Sequence, residues 1–156
     1  MNNAKEALIW ITNILQRYSI PFQIAGGLAV RAYGSTRELM DIDIDISEND
    51  FEKIINEVKP FIIFGPAQFK DDKWDLFLLT LNYMGQEIDL SGAYTTKIYN
   101  NNTHVWEKIT TNLAKVNYIN IEGLILPVIP RDELILYKKI LARPVDLLDI
   151  IFLENN

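Results

Sequence analysis

The chain has 156 residues, 49% apolar and 23% charged, a length and balance that suit one folded domain with a buried core. No apolar run approaches the ~20 residues that span a bilayer, and Met1 to Glu6 do not form a signal peptide, so a cytoplasmic protein is expected. With no cysteine there is no disulfide framework or thiolate metal site, and a net charge of −6 argues against non-specific nucleic-acid binding, which needs a basic surface.

Residues 4–18 space Leu8, Ile11, Leu15 and Tyr18 at helical intervals. Gln23 to Val30 reads as a short strand, a Gly26-Gly27 turn and the opening of a helix that runs to the turn Tyr33-Gly34-Ser35-Thr36. Asp41 to Ile46 alternates strictly, which predicts a strand with one isoleucine face and one carboxylate face. Ser47 caps a helix carrying Phe51, Ile54, Ile55 and Val58, which Pro60 ends. Phe61 to Phe64 suggests a short strand stopped by Gly65-Pro66. Residues 74–81 and 86–90 form a hairpin, residues 116–121 and 124–129 a second, and Asn100-Asn101-Asn102 marks a loop between them. Pro130 precedes a helix to Ala142, and Pro144 starts another. The expected domain is 1–156, with a core of about 1–92 and a hairpin and helices over about 93–156.

The carboxylate strand carries the chemistry. Side chains at two-residue spacing lie roughly 6–7 Å apart, so Asp41, Asp43 and Asp45 repel one another unless a cation sits between them. Magnesium, which prefers oxygen ligands, suits such a face. Upstream, a glycine pair at a helix start lets backbone N–H groups approach a phosphate. Glu87-Ile88-Asp89-Leu90 alternates as well, so Glu87 and Asp89 share a face, and pairing beside residues 41–46 would set Asp89 about 5 Å across. A calcium loop is the rival reading, because Asp41, Asp43, Asp45, Asn49 and Glu52 fall at positions one, three, five, nine and twelve. Ile46 occupies the position that requires glycine, which disfavours it.

Gly26-Gly27, Gly34, Arg37 and Asp41-Ile42-Asp43 resemble the signature of the polymerase-β-like nucleotidyltransferase superfamily. The resemblance is to its small bacterial members, such as lincosamide and aminoglycoside nucleotidyltransferases. Residues 126–150 add a weaker likeness, a lysine followed by an Arg-x-x-Asp-x-x-Asp run (Arg143, Asp146, Asp149), so the resemblance covers nearly the whole chain. It implies an α+β fold, a small mixed β-sheet with packed helices and a short C-terminal helical segment. It also implies Asp41, Asp43 and Asp89 as catalytic residues and ligands of two magnesium ions, with Asp89 as third ligand, general base, or both. Gly26, Gly27, Arg37 and Lys139 would bind the nucleotide, Lys138 or Arg143 being alternatives to Lys139. The competing reading has Arg143, Asp146 and Asp149 pair locally at helical spacing. Asp45 reads as a bystander, His104 as a surface residue, and Trp74, Phe77, Tyr83 and Trp106 as packing.

The implied reaction moves a nucleoside monophosphate, AMP from ATP, to a hydroxyl of a small molecule such as an antibiotic. The alternatives are a nucleotidyltransferase toxin acting on tRNA or protein, and a catalytically silent nucleotide- or metal-binding module. Acceptor choice is expected in loops 65–73 and 92–104, which carry no legible motif, and small members of the superfamily often dimerise.

Overall fold

The structure, a computed structural model, describes residues 2–156. Helix α1 (Asn2–Arg17) buries Ala7, Leu8, Ile11, Ile14 and Leu15 along one stripe. Strand β1 (Phe22–Ala25) runs directly into α2 (Gly26–Ala32), and an extended segment leads to β2 (Ile42–Ile46). The Ser47 hydroxyl accepts from the Asn49 N–H and caps a single 3-10 turn ahead of α3 (Phe51–Val58). Next come β3 (Ile62–Lys70), β4 (Trp74–Tyr83), β5 (Gln86–Gly92), β6 (Thr96–Asn100) and β7 (Val105–Ile109). The hairpin β8 (Asn117–Ile121) and β9 (Leu124–Val128) precedes α4 (Arg131–Leu141) and α5 (Pro144–Asn155).

Among the described residues, nine strands form one mixed sheet of order β7-β6-β4-β5-β2-β1-β9-β8, with β3 paired on β4. The α+β architecture is as expected, and the sheet is larger. Two differences enlarge it. β3 does not stop at Gly65-Pro66 but passes through it, by a register shift between Phe64 and Ala67 that bulges the strand while its pairing to β4 resumes. The asparagine run, expected as a loop, is the turn of the β6/β7 hairpin, where Asn100 Oδ1 accepts from the N–H groups of Asn102 and Thr103.

Strand alternation sorts the central strands into two faces. Ile42, Ile44 and Ile46 of β2 and Ile88 and Leu90 of β5 are fully buried in the core with Leu8, Leu28, Phe51 and Ile54 from α1, α2 and α3. Burying five such side chains contributes on the order of 10 kcal/mol, enough to hold a repelling carboxylate face in place on the other side. On that other face, Asp43, Asp45, Asp89 and Ser91 look into a cleft that α4 also borders. None of the described helices is long and apolar enough to cross a membrane.

Candidate active site

The register of the central strands assembles the site. β2 and β5 run parallel with Asp43 opposite Asp89, and β1 runs antiparallel to β2 with Ala25 opposite Asp43. Gly26, the residue after Ala25, is therefore delivered onto the Asp43 carboxylate. A β-carbon at Gly26 would lie 2.1 Å from Asp43 Oδ2, and its φ of +57° is one that side chains rarely adopt. At Gly27 a β-carbon would come within 2.9 Å of Arg37 Nη2. Gly26 is thus constrained both by its φ and by the approach of Asp43, and Gly27 by the end of the Arg37 side chain.

Asp41, Glu87 and Asp89 each place a carboxylate oxygen within 4.8 Å of the others. Burial pushes the Asp43 carboxyl well above the usual range, and the charges of Asp41, Asp89 and Asp45 push it further. Asp89 is raised to about 6, by burial first, with Glu87 and Asp41 adding to it and a 2.6 Å hydrogen bond donated by Thr80 opposing. Asp41, Glu87 and Asp89 grouped together, with Asp43 opposite Asp89, offer only hard oxygen donors, a set that fits a divalent cation such as magnesium. Glu87 belongs to this set although only its shared face with Asp89 hinted at it. Thr80, directly across β4 from Asp89, had no sequence signal.

The cation side of the cleft is built from α4, α5 and the segment before β2. Arg37 donates from Nε and Nη2 to the two oxygens of Asp149 at 2.8 and 3.0 Å. Lys138 is buried, its ammonium 3.2 Å from Asp146 and 3.0 Å from Asp149. Arg143 pairs with Asp146 through Nε and Nη2 and lies over the Trp74 ring at 5.0 Å. Lys138, Arg37, Arg143 and Trp74 all line the cleft. Lys139, the lysine expected there, is outside it: its side chain is exposed and pairs with Glu154 at 2.9 Å. The helical phase of α4 turns position 138 inward and position 139 to solvent.

Asp45 lines the cleft one strand step beyond Asp43, opposite Ser91, with Thr111 Oγ1 at 3.5 Å. Burial is the first cause that lifts its carboxyl, to about 7. Phe77, Tyr83 and Trp106 are packing residues: Phe77 meets Phe51, Tyr83 stacks on Trp10, and Trp106 meets Tyr99. His104 is exposed beside Tyr99. The cleft holds about 960 Å³, room for a nucleotide and part of an acceptor, and is framed by carboxylates on one wall and by Phe69, Leu76 and Leu78 on another. The last three come from β3 and β4.

No protein family and no curated protein matches the chain by sequence. Solved structures do match it by shape. A candidate nucleotidyltransferase from Thermotoga maritima superposes with a TM-score of 0.70 at 18% identity, over 94% of this chain and 91% of that one. The lincosamide antibiotic adenylyltransferase LnuA, lincomycin-bound, gives 0.58 at 17% identity, over 96% of both chains. ANT(2'')-Ia in complex with adenylyl-2''-tobramycin gives 0.59 at 17% identity, over 94% of this chain and 86% of that one. The fold is that of these nucleotidyltransferases.

Proposed function

We propose that the chain is a magnesium-dependent nucleotidyltransferase that transfers a nucleoside monophosphate, AMP from ATP, to a hydroxyl of a small-molecule acceptor. The observation that carries this reading is the grouping of Asp41, Glu87 and Asp89, with Asp43 opposite Asp89 in the β2/β5 register, beside the Gly26-Gly27 turn and Arg37. Adenylyl transfer to a small molecule is supported by the names of LnuA and of the ANT(2'')-Ia complex.

Asp41, Asp43 and Asp89, with Glu87 at the rim, would hold two magnesium ions. When bound, these supply charge neutralisation on the triphosphate and lower the pKa of the acceptor hydroxyl. The chain's own residues do the rest. Gly26, Gly27 and Arg37 seat the triphosphate, and Lys138 adds positive charge behind Arg37 without leaving its two aspartates. Thr80 occupies one oxygen of Asp89, which leaves the other to take the proton of the acceptor hydroxyl. The acceptor oxygen bonds to the α-phosphorus, the bond from that phosphorus to pyrophosphate breaks, and in-line positioning provides most of the rate. Acceptor choice falls to the part of the cleft lined by β3, β4 and the β6/β7 hairpin, which continue the sheet beyond the carboxylates.

The test is incubation of the protein with magnesium, each labelled nucleoside triphosphate and a cell extract. Label is expected in a small molecule with release of pyrophosphate; label in RNA or protein would move the acceptor to a macromolecule. Asp43→Asn is expected to abolish transfer while the fold persists, and undiminished transfer by that variant would sink the site assignment.

A further inference from the structure

We propose that Asp149 is a positioning residue that aims Arg37 into the cleft, so that α5 is a structural part of triphosphate binding; this rests on the nucleotidyltransferase reading. Arg37 has five N–H donors. Asp149 takes one from Nε and one from Nη2, and the Glu38 carbonyl accepts from Nη1 at 3.3 Å. Donors remain on Nη1 and Nη2, the edge that borders Gly27 and the cleft. An arginine gripped on one edge by a carboxylate presents its other edge in a fixed plane, the geometry that suits two oxygens of a phosphate.

Asp149 itself cannot turn away. Its side chain is 3% exposed, and its Oδ2 also meets the Lys138 ammonium at 3.0 Å. Lys138 is anchored in turn by Asp146, which Arg143 holds through two side-chain N–H groups and one backbone N–H. Three cations and two buried carboxylates thus form one chain of ion pairs whose two ends, Arg37 and Arg143, are partly exposed. A surface arginine without such bracing would lose side-chain entropy on binding an anion; here much of that loss is already taken in folding.

The sign of one substitution separates positioning from bulk charge. Asp149→Asn removes a negative charge near the cleft, so simple electrostatics predicts tighter binding of a polyanion. Positioning predicts weaker binding, because the neutral amide cannot accept both N–H groups of Arg37.

Isothermal titration of the full chain with inorganic tripolyphosphate and with ATP, each with magnesium, measures this. We expect Asp149→Asn to bind both at least tenfold more weakly than wild type. In an Arg37→Ala background the same change should have no further effect, whereas a merely structural role for Asp149 would weaken both backgrounds alike. Arg37→Lys, which keeps the charge and loses the two-point grip, should fall with Arg37→Ala, and it carries the test if Asp149→Asn does not fold. Equal or tighter binding by Asp149→Asn, or near-wild-type binding by Arg37→Lys, overturns the inference. A wild-type chain that binds neither probe removes the nucleotidyltransferase reading itself and this inference with it.

Discussion

Thr80 reaches across from β4 and donates a 2.6 Å hydrogen bond to Oδ1 of Asp89. That bond favours the charged carboxylate, while burial and the neighbouring acids disfavour it, and the balance lies at about 6. In the metal-free protein the Asp89 carboxyl is therefore expected to titrate near pH 6. Thr80→Val removes the opposing influence, so the titration should move to higher pH. Carboxyl carbon shifts followed by NMR across pH 4 to 9 check this; an unmoved Asp89 would show that Thr80 plays no part in setting its proton affinity.

Asp43 carries the repulsion of Asp41, Asp89 and Asp45 in a half-buried position. Without divalent ions, Asp43→Asn is therefore expected to stabilise the fold, by about 1–3 kcal/mol. Thermal unfolding at pH 8 in chelator should show a rise of several degrees. Magnesium should raise the melting temperature of wild type, since a ligand of the native state stabilises by mass action. The increment should shrink in Asp43→Asn, and equal increments would place the ion elsewhere.

Gly26→Ala should be severe. The added β-carbon meets the Asp43 carboxylate and the backbone sits at φ +57°, so a cost of about 1–3 kcal/mol is expected together with loss of most transfer activity. Gly123→Ala is the control: its φ is +88°, but nothing lies within 4 Å of the new carbon. It should cost about 1 kcal/mol and leave activity alone. Chemical denaturation paired with an activity assay distinguishes the two.

Asp45 gives a pH dependence with a defined sign. Its carboxyl, raised to about 7 in the fold, binds its proton more tightly folded than unfolded. The associated stability is fully present below the unfolded pKa near 4 and is lost as pH rises through about 7. Metal-free wild type should therefore lose stability between pH 5 and 8. Asp45→Asn should flatten that decline and be more stable at pH 8, by about 1–2 kcal/mol once solvent in the cleft is allowed for. Melting curves at pH 5 and 8 decide it, and a variant with wild-type pH dependence would count against a buried charge at this position.

Where alternation or punctuation is local, the sequence is legible. The isoleucine and aspartate faces of β2, the Glu87–Asp89 face of β5 and both hairpins are readable because a period of two leaves no other face for the apolar side chains. Gly65-Pro66 misled, because a bulge lets β3 continue past it, and the asparagine run marked a loop without showing that the strands on either side pair as a hairpin. Lys138 and Lys139 are adjacent, so only the helical phase, set by packing of α4 against its neighbours, says which one turns inward. Asp149 looked like a local partner of Arg143. Its partners are instead Arg37 and Lys138, pairings fixed by how α5 docks and by nothing in the segments' own patterns.

The parallel pairing of β2 with β5 has a consequence for how the molecule folds. Hairpins such as β4/β5 and β8/β9 join neighbours in the chain and close short loops, whereas β2 and β5 are separated in the chain by α3, β3 and β4, so their pairing closes a longer loop and is expected to be slower. On that order Asp43 and Asp89 would stay apart through the early, local steps and come side by side in a later, long-range one. Their repulsion falls on the closing stage of folding, when the isoleucines behind them have enough buried surface to outweigh it.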